Sequence, residues 1–216
     1  SECRKYEEQL RLTLYQWRHF RVDMVVEPFI AVEKALTGTS FGVDTQEKTL
    51  SGDPASDVLS HSYINMFEKD SDLEKLHLPN VAEDHAETER RMSLAHELFD
   101  GLLDVRACNN SGYFPCLSVW DPISCWMGVE NALYAMIDRR DFMLALVGRL
   151  VECHTSLLDQ MESLGCLPPP QSIIHCTGAW SDELPANGYN PAKPRTRDIW
   201  GMGLASPRQP WQSGGI

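Results

Sequence analysis

Apolar residues recur along this chain with two different periods. Tyr6, Leu10, Leu14, Trp17 and Phe20 step by four and three, which predicts a helix over 2–20 with one apolar face. Met92, Ala95, Phe99 and Leu102 predict a second helix, over 82–101, facing a core. Met143, Val147, Leu150, His154, Leu157, Met161 and Leu164 form the clearest stripe. They predict a helix over 141–164, capped by Asp141 and stopped by Gly165. Another helical region starts at Trp120-Asp121-Pro122 and breaks at 138–141. A short helix over 72–76 is predicted after Ser71 as its cap, with Pro79 barring its continuation.

Short apolar runs lie between these helices. Met24-Val25-Val26 reads as a strand buried on both faces, ending at Pro28, which has no N–H for a ladder. A second strand is predicted over 103–108, before the turn sequence Asn109-Asn110-Ser111-Gly112. A third is predicted over 172–175. The Gly-, Ser- and Asp-rich stretch 37–57 reads as loop, with a short hairpin about 41–43. Helix and strand thus alternate three times, with connections long enough for parallel crossovers. The predicted fold class is α/β. A closed (β/α)8 barrel of the TIM type needs eight strands and typically ~250 residues. Three or four strands predict the N-terminal portion of such a barrel, carrying long helices. Residues 1–205 form that partial barrel domain, and 206–216, with two prolines and two glycines, form an irregular tail.

Charge narrows the function classes. The 216 residues carry a net charge of −12, which argues against nucleic-acid backbones and anionic membrane surfaces. No apolar run approaches the ~20 residues that span a bilayer. Seven cysteines without a CxxC pair read as reduced thiols of a cytoplasmic protein.

The chemistry concentrates after the third predicted strand, in His175-Cys176-Thr177-Gly178-Ala179-Trp180. In α/β barrels the site lies where strands stop. Neighbouring strand residues point to opposite faces, so His175 and Cys176 divide between the barrel interior and its exterior. Each is either a substrate contact or a packed side chain. Glu27, at the end of the first predicted strand, is a site carboxylate or a solvated one. Asp182 and Glu183 form a carboxylate pair suited to acid–base work or simply to solvation. His61 either lines the barrel mouth or lies on the surface, and Trp120 and Trp126 either stack on a flat macrocycle at the mouth or pack in the core or a lid. His154, in a helical stripe, reads as a packed residue. No glycine-rich phosphate loop and no nucleophile elbow occurs.

Several of these segments resemble the uroporphyrinogen decarboxylase superfamily. They are 14–20 leading into 23–28, Trp120-Asp121-Pro122 with Gly128-Val129-Glu130 and the helix that follows, and Ile174-His175-Cys176-Thr177-Gly178-Ala179-Trp180-Ser181-Asp182-Glu183-Leu184-Pro185. The similarity spans roughly 5–205 and is greater to the cobalamin-dependent methyltransferase-like branch. Where the decarboxylase carries an Asp after its first strand, this chain has Glu27-Pro28-Phe29. The branch's zinc motif, His-x-Cys and a later Cys, belongs to later strands, and His175-Cys176 does not match it.

The resemblance implies a fragment of a corrinoid-dependent methyltransferase acting on small methylated substrates, ended by a frameshift or truncation and inactive alone. Corrinoid and zinc are implied for the parent, and none for this fragment. His175, Cys176, Thr177, Trp180, Glu27, Asp182, His61 and Trp126 are the implied substrate- or cofactor-binding positions. Partners would be a small molecule or a corrinoid protein, with self-association through an exposed barrel edge. The alternatives are a non-catalytic α/β binding module, with 141–164 as its partner surface, and a decarboxylase.

Overall fold

The computed structural model describes residues 2–20, 26–50, 60–109, 119–168, 173–174, 177–178 and 184–199. In chain order the elements are α1 (Glu2–His19), β1 (Phe29–Glu33), β2 (Ala35–Thr37), β3 (Glu47–Leu50), β4 (Ser60–Tyr63), β5 (Ala82–Asp84), α2 (His85–Phe99), β6 (Asp104–Cys108), α3 (Trp120–Met127), α4 (Val129–Asp138), α5 (Arg140–Leu164), β7 (Ile173–Ile174) and β8 (Thr177–Gly178). Short 3-10 helices cover Asp70–Lys75 and Thr196–Asp198. The fold is mixed helix and strand. Among the described residues the strands join two by two: β1 with β6, β2 with β5, β3 with β4 and β7 with β8.

Three of these pairs are antiparallel, against the expectation of parallel crossovers. The cause is plain for two of them. β3 and β4 are separated by 51–59, and β7 and β8 by two residues, which is less than the dozen or so that a parallel crossover needs. β1 and β6 differ. Asp104 N donates to Pro28 O at 3.3 Å, and Lys34 N donates to Cys108 O at 3.0 Å. Both ends of the ladder advance in the same direction along both strands, so the pair is parallel.

The chain divides into two compact units, Ser1–Val32 with Arg90–Ala107, and Glu33–Glu89 with Cys108–Ile216. In the first, Ile30 and Val32 alternate into a core with Ala95, closed by Tyr6, Leu10, Met92, Phe99, Leu103 and Val105. The Tyr6 and Phe99 rings meet edge to face at 5.4 Å. Glu2 binds Arg90 at 2.9 Å, anchoring the start of α1. The predicted stripe of α1 is partly covered only at this end, at Tyr6 and Leu10. Leu14, Trp17 and Phe20 are exposed, and so is Leu102 on α2's predicted inner face.

In the second unit α3, α4 and α5 pack around Phe67, Ile123, Trp126, Met127, Phe142, Leu146 and Leu150. A smaller cluster joins Val81, Leu158, Met161 and Leu167. Most of the α5 stripe is therefore core and not a partner surface, with Leu164 at its end exposed. Gly128, at φ 76°, turns the chain between α3 and α4. Arg139, at φ −132° and ψ 47°, is the only break between α4 and α5 and stands at the cap position expected for Asp141. Its guanidinium donates to Phe67 O at 2.8 Å and Asp70 Oδ1 at 2.6 Å, and lies 4.0 Å from the Phe142 ring centre. Those partners hold the break open without a capping carboxylate. Gly165 ends α5 in the left-handed region at φ 66°, as predicted.

Other boundaries move. Pro28 precedes β1 instead of ending a strand, and 21–25 lie outside the described residues. Residues 82–84 form β5, so α2 starts three residues later than its stripe predicts. Thr88 explains the start: its hydroxyl accepts from Ala35 N at 3.0 Å and donates to Asp84 O at 2.8 Å, tying β2 to the first turn of α2. The predicted helix at 72–76 is the 3-10 helix Asp70–Lys75, with Asp72 Oδ2 accepting from Lys69 N at 2.8 Å and no cap by Ser71. No hairpin forms at 41–43. Gly42 sits at φ 92° against His77, where a Cβ would overlap the imidazole.

Candidate functional site at the strand ends

The parallel pair delivers Glu33-Lys34 and Cys108-Asn109 at its carboxyl ends. Around them gather Glu83 from β5, His85 at the start of α2, and Cys166 just after α5. Glu83 is the hub. Its Oε2 receives Lys34 Nζ at 3.5 Å and lies 4.0 Å from Cys166 Sγ. Its Oε1 lies 3.4 Å from His85 Nδ1. The Glu83 and Lys34 side chains are mostly buried, whereas His85 is exposed.

Asn109 positions the Cys166 segment. Its Nδ2 donates to Gly165 O at 2.9 Å and to Leu167 O at 2.7 Å. The end of β6 is thereby tied to the chain leaving α5, and Cys166 is held at 1% exposure. Burial pushes the Cys166 thiol up; Lys34 pulls it back and Glu83 adds to the rise. Burial also raises the Cys108 thiol, with Glu33 adding to it. Both sulfurs are therefore protonated at neutral pH and are weak nucleophiles. The cluster can accept a hydrogen bond through Glu83 and present a cation through Lys34. Neither thiol is poised for attack, so the polar groups on offer are the Glu83 carboxylate and the Lys34 ammonium. No group of three or more His, Cys, Asp or Glu among the described residues could hold a metal ion.

The predicted site residues do not converge here. His175, Cys176, Trp180 and Asp182 lie outside the described residues. Thr177 is in β8, opposite Ile174. His61 is in β4, opposite Thr49. Glu27 is exposed and precedes β1, so it stands at the wrong end of the strand for a barrel site. Trp126 is buried in the core, its ring 6.0 Å from that of Phe67, and no face is left for stacking on a macrocycle. Lys34, Glu83, Asn109 and Cys166 were not singled out by the sequence. The signal was the alternation Phe29-Ile30-Ala31-Val32-Glu33, whose far end is Lys34.

His154 is a separate feature. It is 7% exposed, it faces the Phe41 ring edge to face at 4.9 Å, and neither ring nitrogen has a partner among the described residues. Burial lowers its pKa from 6.5 to about 4, so it is neutral at physiological pH. A shallow groove of about 550 Å³ runs along the opposite side of α5, lined by Leu78, Val151, Thr155, Asp159 and Gln160 among others. The described cysteines 3, 108, 125, 153 and 166 are free thiols, and no described helix is long and apolar enough to cross a membrane. No family model matches the sequence, and neither the curated proteins nor the solved structures yielded a match.

Proposed function

We propose that this chain contributes the first strands of an α/β barrel like that of the uroporphyrinogen decarboxylase superfamily, in its corrinoid-dependent methyltransferase branch. The observation that carries the reading is the parallel pairing of β1 with β6, with Lys34, Glu83, Cys108 and Cys166 gathered at its carboxyl ends. That is where barrel enzymes build their pockets. The segments 14–28, 120–130 and 174–185 supply the branch assignment.

In this reading Lys34 and Glu83 form part of the wall that orients a small methylated substrate, and a corrinoid protein is the partner. Zinc would supply thiol activation in the parent. The described residues do not fit a zinc site, since Cys108 and Cys166 are held protonated and no ligand set converges. The chain alone is expected to be inactive. Free thiols fit a reducing, cytoplasmic setting.

Two measurements test this. Methylcobalamin, zinc and a small thiol are mixed with the protein, and the corrinoid absorbance is followed. No loss above the protein-free rate is expected; protein-dependent demethylation overturns the incomplete-site reading. Iodoacetamide labelling of Cys108 is then timed with and without millimolar methylamine or methanol. Slower labelling with either, abolished in Lys34→Met, supports a pocket at the strand ends. Unchanged rates count against it. The binding-module reading has its own support in the exposed apolar face of α4.

A further inference from the structure

Asn187 and Gly188 form the chain's single Asn-Gly pair. Both are exposed, in a turn where Gly188 takes φ 76°. An asparagine amide is chemically labile, because the backbone nitrogen of the next residue can close on its side-chain carbon. Glycine presents that nitrogen with the least hindrance, having no Cβ. At Gly188 even an added Cβ would meet no heavy atom nearer than Arg195 Nη1 at 3.9 Å.

Arg195 adds what the sequence pair alone lacks. Its Nη2 donates to Asn187 O at 3.1 Å. That oxygen belongs to the same peptide group as the Gly188 nitrogen. When the nitrogen loses its proton, resonance carries the negative charge to the oxygen, where the guanidinium already stands. Arg195 is itself held in place. Asp198 accepts from its Nε at 2.8 Å and its Nη2 at 2.7 Å, and the neighbouring Thr196 N donates to Glu162 Oε2 on α5 at 2.8 Å. The donor is therefore oriented before the reaction begins.

We propose that Asn187 is a self-modifying site, which deamidates through a succinimide with Arg195 as the activating cation. Hydroxide takes the Gly188 N–H proton, and the nitrogen attacks Asn187 Cγ. Nδ2 takes a proton from water and leaves as ammonia, closing the imide ring. Water then opens the ring at either carbonyl. One water enters and one ammonia leaves, with no oxidant or reductant. Opening at Cγ gives aspartate. Opening at the main-chain carbon gives isoaspartate, and the oxygen that Arg195 holds becomes a carboxylate oxygen. The bond from Arg195 becomes an ion pair that competes with Asp198 for the same Nη2. The turn thus carries a slow, irreversible change of charge at the point where Arg195 ties it down.

Peptide mapping by mass spectrometry over days near neutral pH, with isoaspartate-specific methylation, tests this. Arg195→Met combined with Asp198→Asn leaves no buried charge orphaned. It should slow conversion of Asn187 in the native chain about tenfold, the effect of losing one charge-assisted bond on ionisation. Arg195→Lys, which keeps the charge without the planar fork, should fall between the two. In urea all three chains should convert at one rate. Circular dichroism checks that each variant is folded. Wild type needs no variant for a further comparison: it should convert faster native than in urea. Native rates unchanged by both substitutions, the same slowing in urea, or a native wild type no faster than its unfolded chain overturns the proposal.

Discussion

His154 gives a sharp energetic test of the core. Its ring is buried against Phe41 with both nitrogens unpartnered among the described residues, and its pKa falls to about 4 from 6.5 in the unfolded chain. The sign follows from proton counts. Between those two values the unfolded state binds a proton that the folded state refuses, so stability falls as pH drops through that window. Above pH 6.5 both states are neutral and the effect is absent. Below pH 4 it is complete. The shift corresponds to about 3 kcal/mol, a large part of a domain's total stability.

His154→Leu removes the titration and the orphaned nitrogens while keeping most of the volume. At neutral pH the variant should be at least as stable as wild type, since an unsatisfied buried polar group costs about 1–3 kcal/mol. As pH falls towards 4 its advantage should grow by about a further 3 kcal/mol. Urea unfolding of both proteins at a series of pH values from neutral to 4 reads this directly. A stability difference that stays flat with pH would refute the reasoning. So would a Leu variant clearly less stable at neutral pH, because that would mean the imidazole has a hydrogen-bond partner.

Three further outcomes are expected. Asn109→Ala loses both bonds to the segment after α5, so stability should drop by about 1–3 kcal/mol and iodoacetamide should reach Cys166 faster, by mass spectrometry. Gly42→Ala should lower Tm by several degrees, because φ 92° and the His77 ring both oppose a Cβ, and a Tm at or above wild type would contradict that packing. Asp198 is fully buried, and its carboxylate accepts from Arg195 Nε at 2.8 Å and Nη2 at 2.7 Å. These bonds hold it below the usual carboxylate range. Its contribution should be present above the ordinary Asp pKa and vanish as pH falls through the depressed one, and Asp198→Asn should flatten that acid limb in a Tm-against-pH series.

The helices were largely legible because their stripes are long. α5 carries seven apolar or half-apolar positions in one register, and a period sustained over six turns survives local exceptions. α1 was legible as a helix but not in its burial, because a stripe says which residues share a face and not whether that face is covered. The strands were harder. Met24-Val25-Val26 is the more apolar run, yet the pairing partner of β6 is Phe29–Glu33, where Ile30 and Val32 alternate inward. Pro28 reads from sequence as the end of a strand, yet its fixed φ and missing N–H suit the entry to one equally well.

That displacement of a few residues moved the first strand's carboxyl end from Glu27 to Lys34 and hid the cluster around Glu83. Asn109 was hidden for a different reason. Its backbone reads as turn, while its side chain acts across more than fifty residues of sequence on Gly165 and Leu167. No local pattern encodes such a bond. Trp126 shows the converse: an aromatic beside a helix-starting Asp-Pro pair fits a mouth or a core, and its packing against Phe67 decides for the core.

The barrel reading rests on the sense of β1 against β6, and NMR couplings across individual hydrogen bonds report that sense directly. A parallel pair predicts couplings from Asp104 N to the Pro28 carbonyl and from Lys34 N to the Cys108 carbonyl, both in slowly exchanging amides. Couplings that link the start of one strand to the end of the other would make the pair antiparallel, and the strand-end site would lose its basis.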